Sequence, residues 1–315
     1  MEKRYDLLTG WQTTLLYSLS NSSQIENFNG LILQILSVIE EMSLDCSAAS
    51  LAIFKIIVQT NFWSITNPST FYGACRFIAV LISRKTYLCD STTANPLMDI
   101  AALLLGSKST EALGYRFLEN LLPFFVSNQL YEHLTRLMSV LFQRLSTSKS
   151  LKRSSDTARI LSLVFLQSQK SNSITNLLDL LESIQSRLIL MIIGSIYESN
   201  SEIFADRDKK LHFIFLCTIF PLLTASYAES KTRIPKILSI LLLCGVKSEK
   251  DELFCELACA RYDCFFVSVD NFLEPIQYLI SCLYDWNSSG ICDVYAFLSN
   301  MDEGPRNRIL SMAKF

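Results

Sequence analysis

Leu134-Thr135-Arg136-Leu137-Met138-Ser139-Val140-Leu141-Phe142-Gln143-Arg144-Leu145 carries apolar residues at Leu134, Leu137, Met138, Leu141 and Leu145. This i, i+3, i+4, i+7 spacing aligns them in one stripe along an α-helix. Thr135, Arg136, Gln143 and Arg144 fall on the opposite face. Ile174, Leu177, Leu178, Leu181 and Ile184 repeat the pattern, with Asn176, Asp179 and Glu182 outside. No convincing run of two-residue alternation stands between turn signals, so strands are not expected.

Composition points the same way. The 315 residues are 50% hydrophobic and 18% charged, values that require a large buried surface and argue against disorder. Glycine is scarce, 9 residues, whereas sheets need it for tight turns. The net charge of −2 gives no field to hold nucleic acid. The charged start Met1-Glu2-Lys3-Arg4-Tyr5-Asp6 lacks the apolar run of a secretory leader. Free thiols in a reducing compartment are therefore expected for the 10 cysteines.

Short polar breaks punctuate the helical pattern, among them Gly106 to Thr110, Ser127 to Gln129, Thr147 to Lys152, Gln169 to Ser173 and Ala228 to Pro235. Ser127, Ser173 and Ser248 read as helix N-caps. Helices joined by such turns form antiparallel pairs, and the pairs recur at roughly forty-residue spacing, the HEAT or armadillo range. The expected fold is an all-α solenoid of antiparallel helix pairs, a single array over residues 1–315. Stacking gives each new pair a fresh buried face and leaves an extended surface for partners. The most apolar stretch, Leu211 to Ala225, is shorter than the ~20 residues that span a bilayer and contains His212 and Pro221. It reads as a buried solenoid helix, with no membrane insertion.

Candidate chemistry is sparse. Cys255 and Cys259 are spaced to share a helix face, with Cys264 following, but no paired knuckles or nearby histidines complete a zinc site. His133 and His212 are isolated. No phosphate-binding loop, zinc-protease motif or nucleophile elbow is present. The adjacent carboxylates Glu40-Glu41 and Asp251-Glu252 do not face each other on a helix. No catalytic residue, cofactor site or metal site is assigned, no enzyme is expected, and the protein-binding residues stay undefined. Lys149 to Arg153 is a basic knot of solvated turn residues, with Ser154 and Ser155 as kinase candidates. Asp206 to Lys210 reads as an exposed helix start. Phe62-Trp63 and Trp286, at turn edges, suit either a partner or packing between repeats.

Four stretches carry a family resemblance. They are Asn61-Phe62-Trp63-Ser64 leading to Cys75 through Leu81, Gly114-Tyr115 opening a leucine-rich helix to Leu122, Leu141-Phe142-Gln143-Arg144-Leu145 with its Ser146-Thr147-Ser148-Lys149 turn, and Asp208-Lys209-Lys210 opening an apolar helix to Leu223. The third is the most specific. Together they resemble the C-terminal arch of the CAS exportin family, the importin-α re-exporters of the importin-β superfamily. The best-matching part is residues 61–223, and residues 250–315 resemble the terminal helices. The resemblance implies a monomeric HEAT solenoid that binds importin-α together with the small GTPase Ran in its GTP form, shuttling between nucleus and cytoplasm at the nuclear envelope. The family's N-terminal arch, which clasps Ran, has no counterpart here, so the chain is expected to be one half of a clamp. A structural HEAT adaptor outside transport and a membrane-associated helical protein are the rival readings.

Overall fold

The computed structural model describes residues 68–83, 91–127, 130–147, 150–170, 173–198, 206–246 and 274–313, with residues 54, 55, 57, 58, 63, 204, 254, 255, 260 and 261. The chain divides into two compact units, Met1–Val140 with Phe254–Arg261, and Leu141–Leu253 with Tyr262–Phe315.

In the first unit, α1 (Pro68–Ser83), α2 (Ser91–Gly106) and α3 (Glu111–Ser127) precede α4 (Tyr131–Thr147), in which the unit boundary falls. Helix α3 packs on both α1 and α2. The turn from α2 to α3 is fixed by Thr110, whose hydroxyl donates to the Leu104 carbonyl at 2.7 Å, satisfying an end-of-helix acceptor. Gly114 lies where α3 meets α2. A Cβ there would stand 3.0 Å from the Leu105 backbone nitrogen, so the sequence places glycine where two backbones come too close for a side chain. Leu97, Leu104, Leu118, Leu122 and Phe125 fill the core around this contact. The predicted stripe on α4 faces inward over its first four positions: Leu134, Leu137, Met138 and Leu141 are buried and Leu145 is half-buried, while on the other face Arg136 and Gln143 are exposed and Thr135 and Arg144 half-buried.

The second unit contains α5 (Leu151–Lys170), α6 (Ile174–Ile184), α7 (Leu188–Ile192) continuing into a π-helical turn (Ile193–Glu198), α8 (Asp206–Ser226), α9 (Ser230–Leu243), α10 (Pro275–Ser288), α11 (Val294–Ser299) and α12 (Glu303–Met312). Helix α8 is central and packs on α5, α9 and α10. Its apolar character has a direct cause: it is covered on several sides. Among the described residues it is the one helix long and apolar enough to cross a membrane, and 67% of that window is buried inside the protein. The helix also starts earlier than the apolar stretch suggests, because Asp208, Lys209 and Lys210 belong to it and are themselves buried.

Caps at the end of the chain follow the chemistry of the residues. Glu274 accepts from the Ile276 and Gln277 amides, and Asp293 accepts from those of Tyr295 and Ala296. Ser173 does precede α6, but its hydroxyl donates back to the Ser168 carbonyl at 3.3 Å and makes no cap bond. Ser127 is the last residue of α3, and Ser248 lies outside the described residues. The expectation of helix throughout 250–315 is corrected at one place. Phe254–Cys255 pairs antiparallel with Ala260–Arg261, so Cys255 is in extended chain and not on a helix face with Cys259. Cys259 and Cys264 lie outside the described residues, as do Glu40, Glu41, Asp251 and Glu252.

Candidate functional site

Two polar constructions in the second unit stand out against its apolar core. The first lies inside. Arg159 of α5 and Asp208 of α8 form an ion pair whose side chains are 5% and 7% exposed. A charge at that depth is tolerable only with its partner beside it. One helical turn further along each helix, the Ser162 hydroxyl lies 2.9 Å from His212 Nδ1, and the Tyr197 hydroxyl lies 3.1 Å from the same nitrogen. Ser162 donates to the Ala158 carbonyl at 2.9 Å, which leaves its oxygen to accept. That arrangement favours Nδ1 as the protonated nitrogen of His212, donating to Ser162, with Nε2 buried and unpaired. The ring rests on Phe204 with centroids 4.2 Å apart. Burial, reinforced by the Arg159 charge, lowers the His212 pKa to about 3, so the imidazole is neutral. Burial likewise raises the Tyr197 hydroxyl well above its ordinary value.

This corrects the reading of Asp206 to Lys210 as an exposed helix start. Asp208 faces Arg159, and the Lys209 ammonium donates to the Cys244 carbonyl at 2.9 Å, at the C-terminal end of α9. A cation there complements the carbonyls and the helix dipole. His212, an isolated histidine in the sequence, is a member of this buried node. Among the described residues no group of His, Cys, Asp and Glu could hold a metal.

The second construction is on the surface, along the turns that follow α6 and α8. Arg187 has φ of 60°, a left-handed conformation rare for a non-glycine residue. Glu182 accepts from the Arg187 amide at 2.9 Å, and the Arg187 guanidinium pairs with Glu229 of the next turn. The Tyr227 hydroxyl is pushed up to about 12, first by burial and then by the Glu182 carboxylate. Arg233 pairs with Glu198 at 3.4 Å. These exposed pairs contribute little to stability, roughly 0–1 kcal/mol each, but they present alternating charge on adjoining turns. The Arg187–Glu229 surface pair has no local signature, because the turn at Gln185–Arg187 has neither glycine nor proline.

The aromatic candidates belong to the core. Trp63 is 3% exposed, packs on Phe71 at 5.3 Å and donates its indole N–H to the Ile57 carbonyl at 2.7 Å. Trp286 is 5% exposed and lies 4.6 Å from Phe220 and 5.7 Å from Phe297, fastening α10 and α11 to α8. Phe62 lies outside the described residues. The basic knot is partly helical: Lys152 and Arg153 sit in the first turn of α5, Ser154 is buried and Ser155 is partly exposed. A kinase has no ready access to Ser154.

Comparison with known proteins accords with this architecture. No curated protein sequence matches the chain. Among solved structures it resembles the exportin Cse1 in its cargo-free, cytoplasmic state, with a TM-score of 0.69 and 18% sequence identity over 96% of this chain. The matched part is 32% of that exportin. The likeness shows the fold, an all-α solenoid of the exportin type. In sequence, the family described as CAS/CSE protein, C-terminus, matches residues 5–258, well over half of the chain. The chain therefore belongs to the CAS/CSE family and corresponds to its C-terminal region.

Proposed function

We propose that the chain is a protein-binding arm of a nuclear transport receptor and serves importin-α re-export with Ran-GTP, shuttling between nucleus and cytoplasm. The observation that carries this reading is the family match over residues 5–258, extended by a solenoid likeness to an exportin along almost the whole chain. Binding energy in such an array is spread over many contacts at inter-helix turns, and small rotations between successive pairs let it coil round a partner. The charged turns around Arg187 and Glu229 are proposed as part of that contact surface. The helices are read here as one continuous array, and the partner-free form as a monomer. The chain spans about a third of the length of the exportin it resembles.

Pull-down of the chain with importin-α, with Ran-GTP or Ran-GDP, and with or without the N-terminal arch of an exportin, tests this. The reading predicts retention of importin-α that depends on the GTP form once the arch is supplied. Arg187→Glu with Glu229→Arg, which keeps the internal pair and reverses both charges, should weaken it several-fold. Retention indifferent to the nucleotide under every condition would instead favour an adaptor outside transport.

A further inference from the structure

Away from the polar node, the second unit brings two cysteines together across a helix pair. Cys217 lies one turn before Phe220 on α8 and Cys282 one turn before Trp286 on α10, and those two rings pack with centroids 4.6 Å apart. That register sets the two cysteines against each other. Burial and then the Cys282 thiol raise the Cys217 thiol, and burial and then both thiols raise the Tyr278 hydroxyl. The two helices pack directly, and Trp286, one turn beyond Cys282, is locked against Phe220 of α8. The pair is therefore held in register by its surroundings. Cys217 is 2% exposed, whereas Cys282 is partly open to solvent. Both are free thiols.

We propose that Cys217 and Cys282 form a reversible disulfide that pins α10 to α8 when the chain meets a peroxide. The geometry assigns an order. The partly exposed Cys282 attacks hydrogen peroxide, breaking the O–O bond, to give a sulfenic acid and water. The buried Cys217 sulfur then attacks the Cys282 sulfur, forming the S–S bond and expelling a second water. One peroxide takes two electrons from two thiols, and a dithiol reductant returns them. Burial pushes the Cys217 thiol up, so closure is the slower step and quickens with pH. The link joins residues far apart in the chain and holds the terminal helices α10 to α12 to the centre of the unit. Cys292 supplies an internal control. It is also partly exposed, but its charged neighbours are Asp293 and Lys231, with burial and Asp293 raising its pKa to about 11.

The test treats the full chain with hydrogen peroxide under native conditions, then maps peptides without reduction. Two proteases are needed to separate Cys282 from Cys264 and Cys292. The expected result is a Cys217–Cys282 linked peptide, lost on adding dithiothreitol, with a melting temperature that rises on oxidation and returns on reduction. Cys217→Ser should leave Cys282 as a sulfenic acid that dimedone traps. Should that variant misfold, Cys282→Ser at the partly exposed position carries the test, and its Cys217 must stay reduced. A Cys217 that remains free in the wild type while Cys282 is oxidised, or a link that forms only in urea, overturns the proposal.

Discussion

The α2–α3 contact of the first unit and the α5–α8 contact of the second bury helices of similar length with different atoms. The first closes by removing a side chain. Gly114 lets α3 approach Leu104 and Leu105 so closely that even a methyl group meets backbone. The second fills its interface with paired polarity, Arg159 with Asp208 and Ser162 with His212 and Tyr197. An apolar close contact depends on shape, and its cost when disturbed is steric. A buried polar contact depends on complete pairing, and its cost when disturbed is an orphaned charge. The two should therefore fail in different ways.

The largest effect is expected at the polar contact. Asp208→Ala leaves the Arg159 guanidinium buried without its carboxylate, at a cost of about 3–5 kcal/mol. Arg159→Met with Asp208→Leu should recover most of that loss, because a well-packed apolar pair avoids desolvating charge. Urea denaturation measures both, and hydrogen exchange should show the loss in α5 and α8. A double variant as unstable as the single one would mean that the pair does more than satisfy itself.

Gly114→Ala comes next. The added Cβ would stand 3.0 Å from the Leu105 nitrogen and 3.2 Å from the Leu104 carbonyl carbon, and backbone cannot swing aside as a side chain can. Overpacking of this kind costs ~1–3 kcal/mol, set against a helix-propensity gain of ~1 kcal/mol for alanine, so a net loss of up to ~2 kcal/mol is expected. Faster exchange should be confined to α2 and α3. A neutral or stabilised variant would show that the helices separate at little cost.

The smallest effect, reckoned for a change of one pH unit, is a pH dependence that only the polar contact should show. His212 titrates at about 3 in the folded chain, whereas an exposed imidazole titrates near ~6.5. Between those values the unfolded chain binds the proton and the folded chain does not. Stability should fall as pH drops below ~6.5, by up to ~1.4 kcal/mol per pH unit, and His212 should add no slope above that. In His212→Phe this part of the slope should vanish. Denaturation curves at several pH values compare the two, and an unchanged slope would place the titration elsewhere.

The same contrast explains what could be read from sequence. The α4 stripe was legible because a one-sided helix needs only local spacing, and Leu134, Leu137, Met138 and Leu141 are buried as that spacing requires. The breaks at Gly106–Thr110 and Gln169–Ser173 were legible through their polar residues. The glycine-aromatic step at Gly114 was visible as a family feature, but its reason, the approach of Leu105, needed the fold. Asp208, Lys209 and Lys210 misled because a run of charge reads as surface. Arg159 and Cys244, which answer Asp208 and Lys209, are distant along the chain and have no local signature. Arg187 turns the chain without glycine or proline, supported by Glu182 and Glu229, so nothing in its own stretch announced a turn.

The proposed receptor role rests on the family match, and one quantity tests it most directly. This is the ratio of the affinities of the chain for importin-α in the presence of Ran-GTP and of Ran-GDP, measured by titration calorimetry with an exportin N-terminal arch supplied. Coupling between two partners on one receptor corresponds to a ratio of about 5–150. A receptor arm that re-exports importin-α should give a ratio in that range, with tighter binding alongside Ran-GTP. A ratio of about one, or no binding to importin-α in either state, would contradict it.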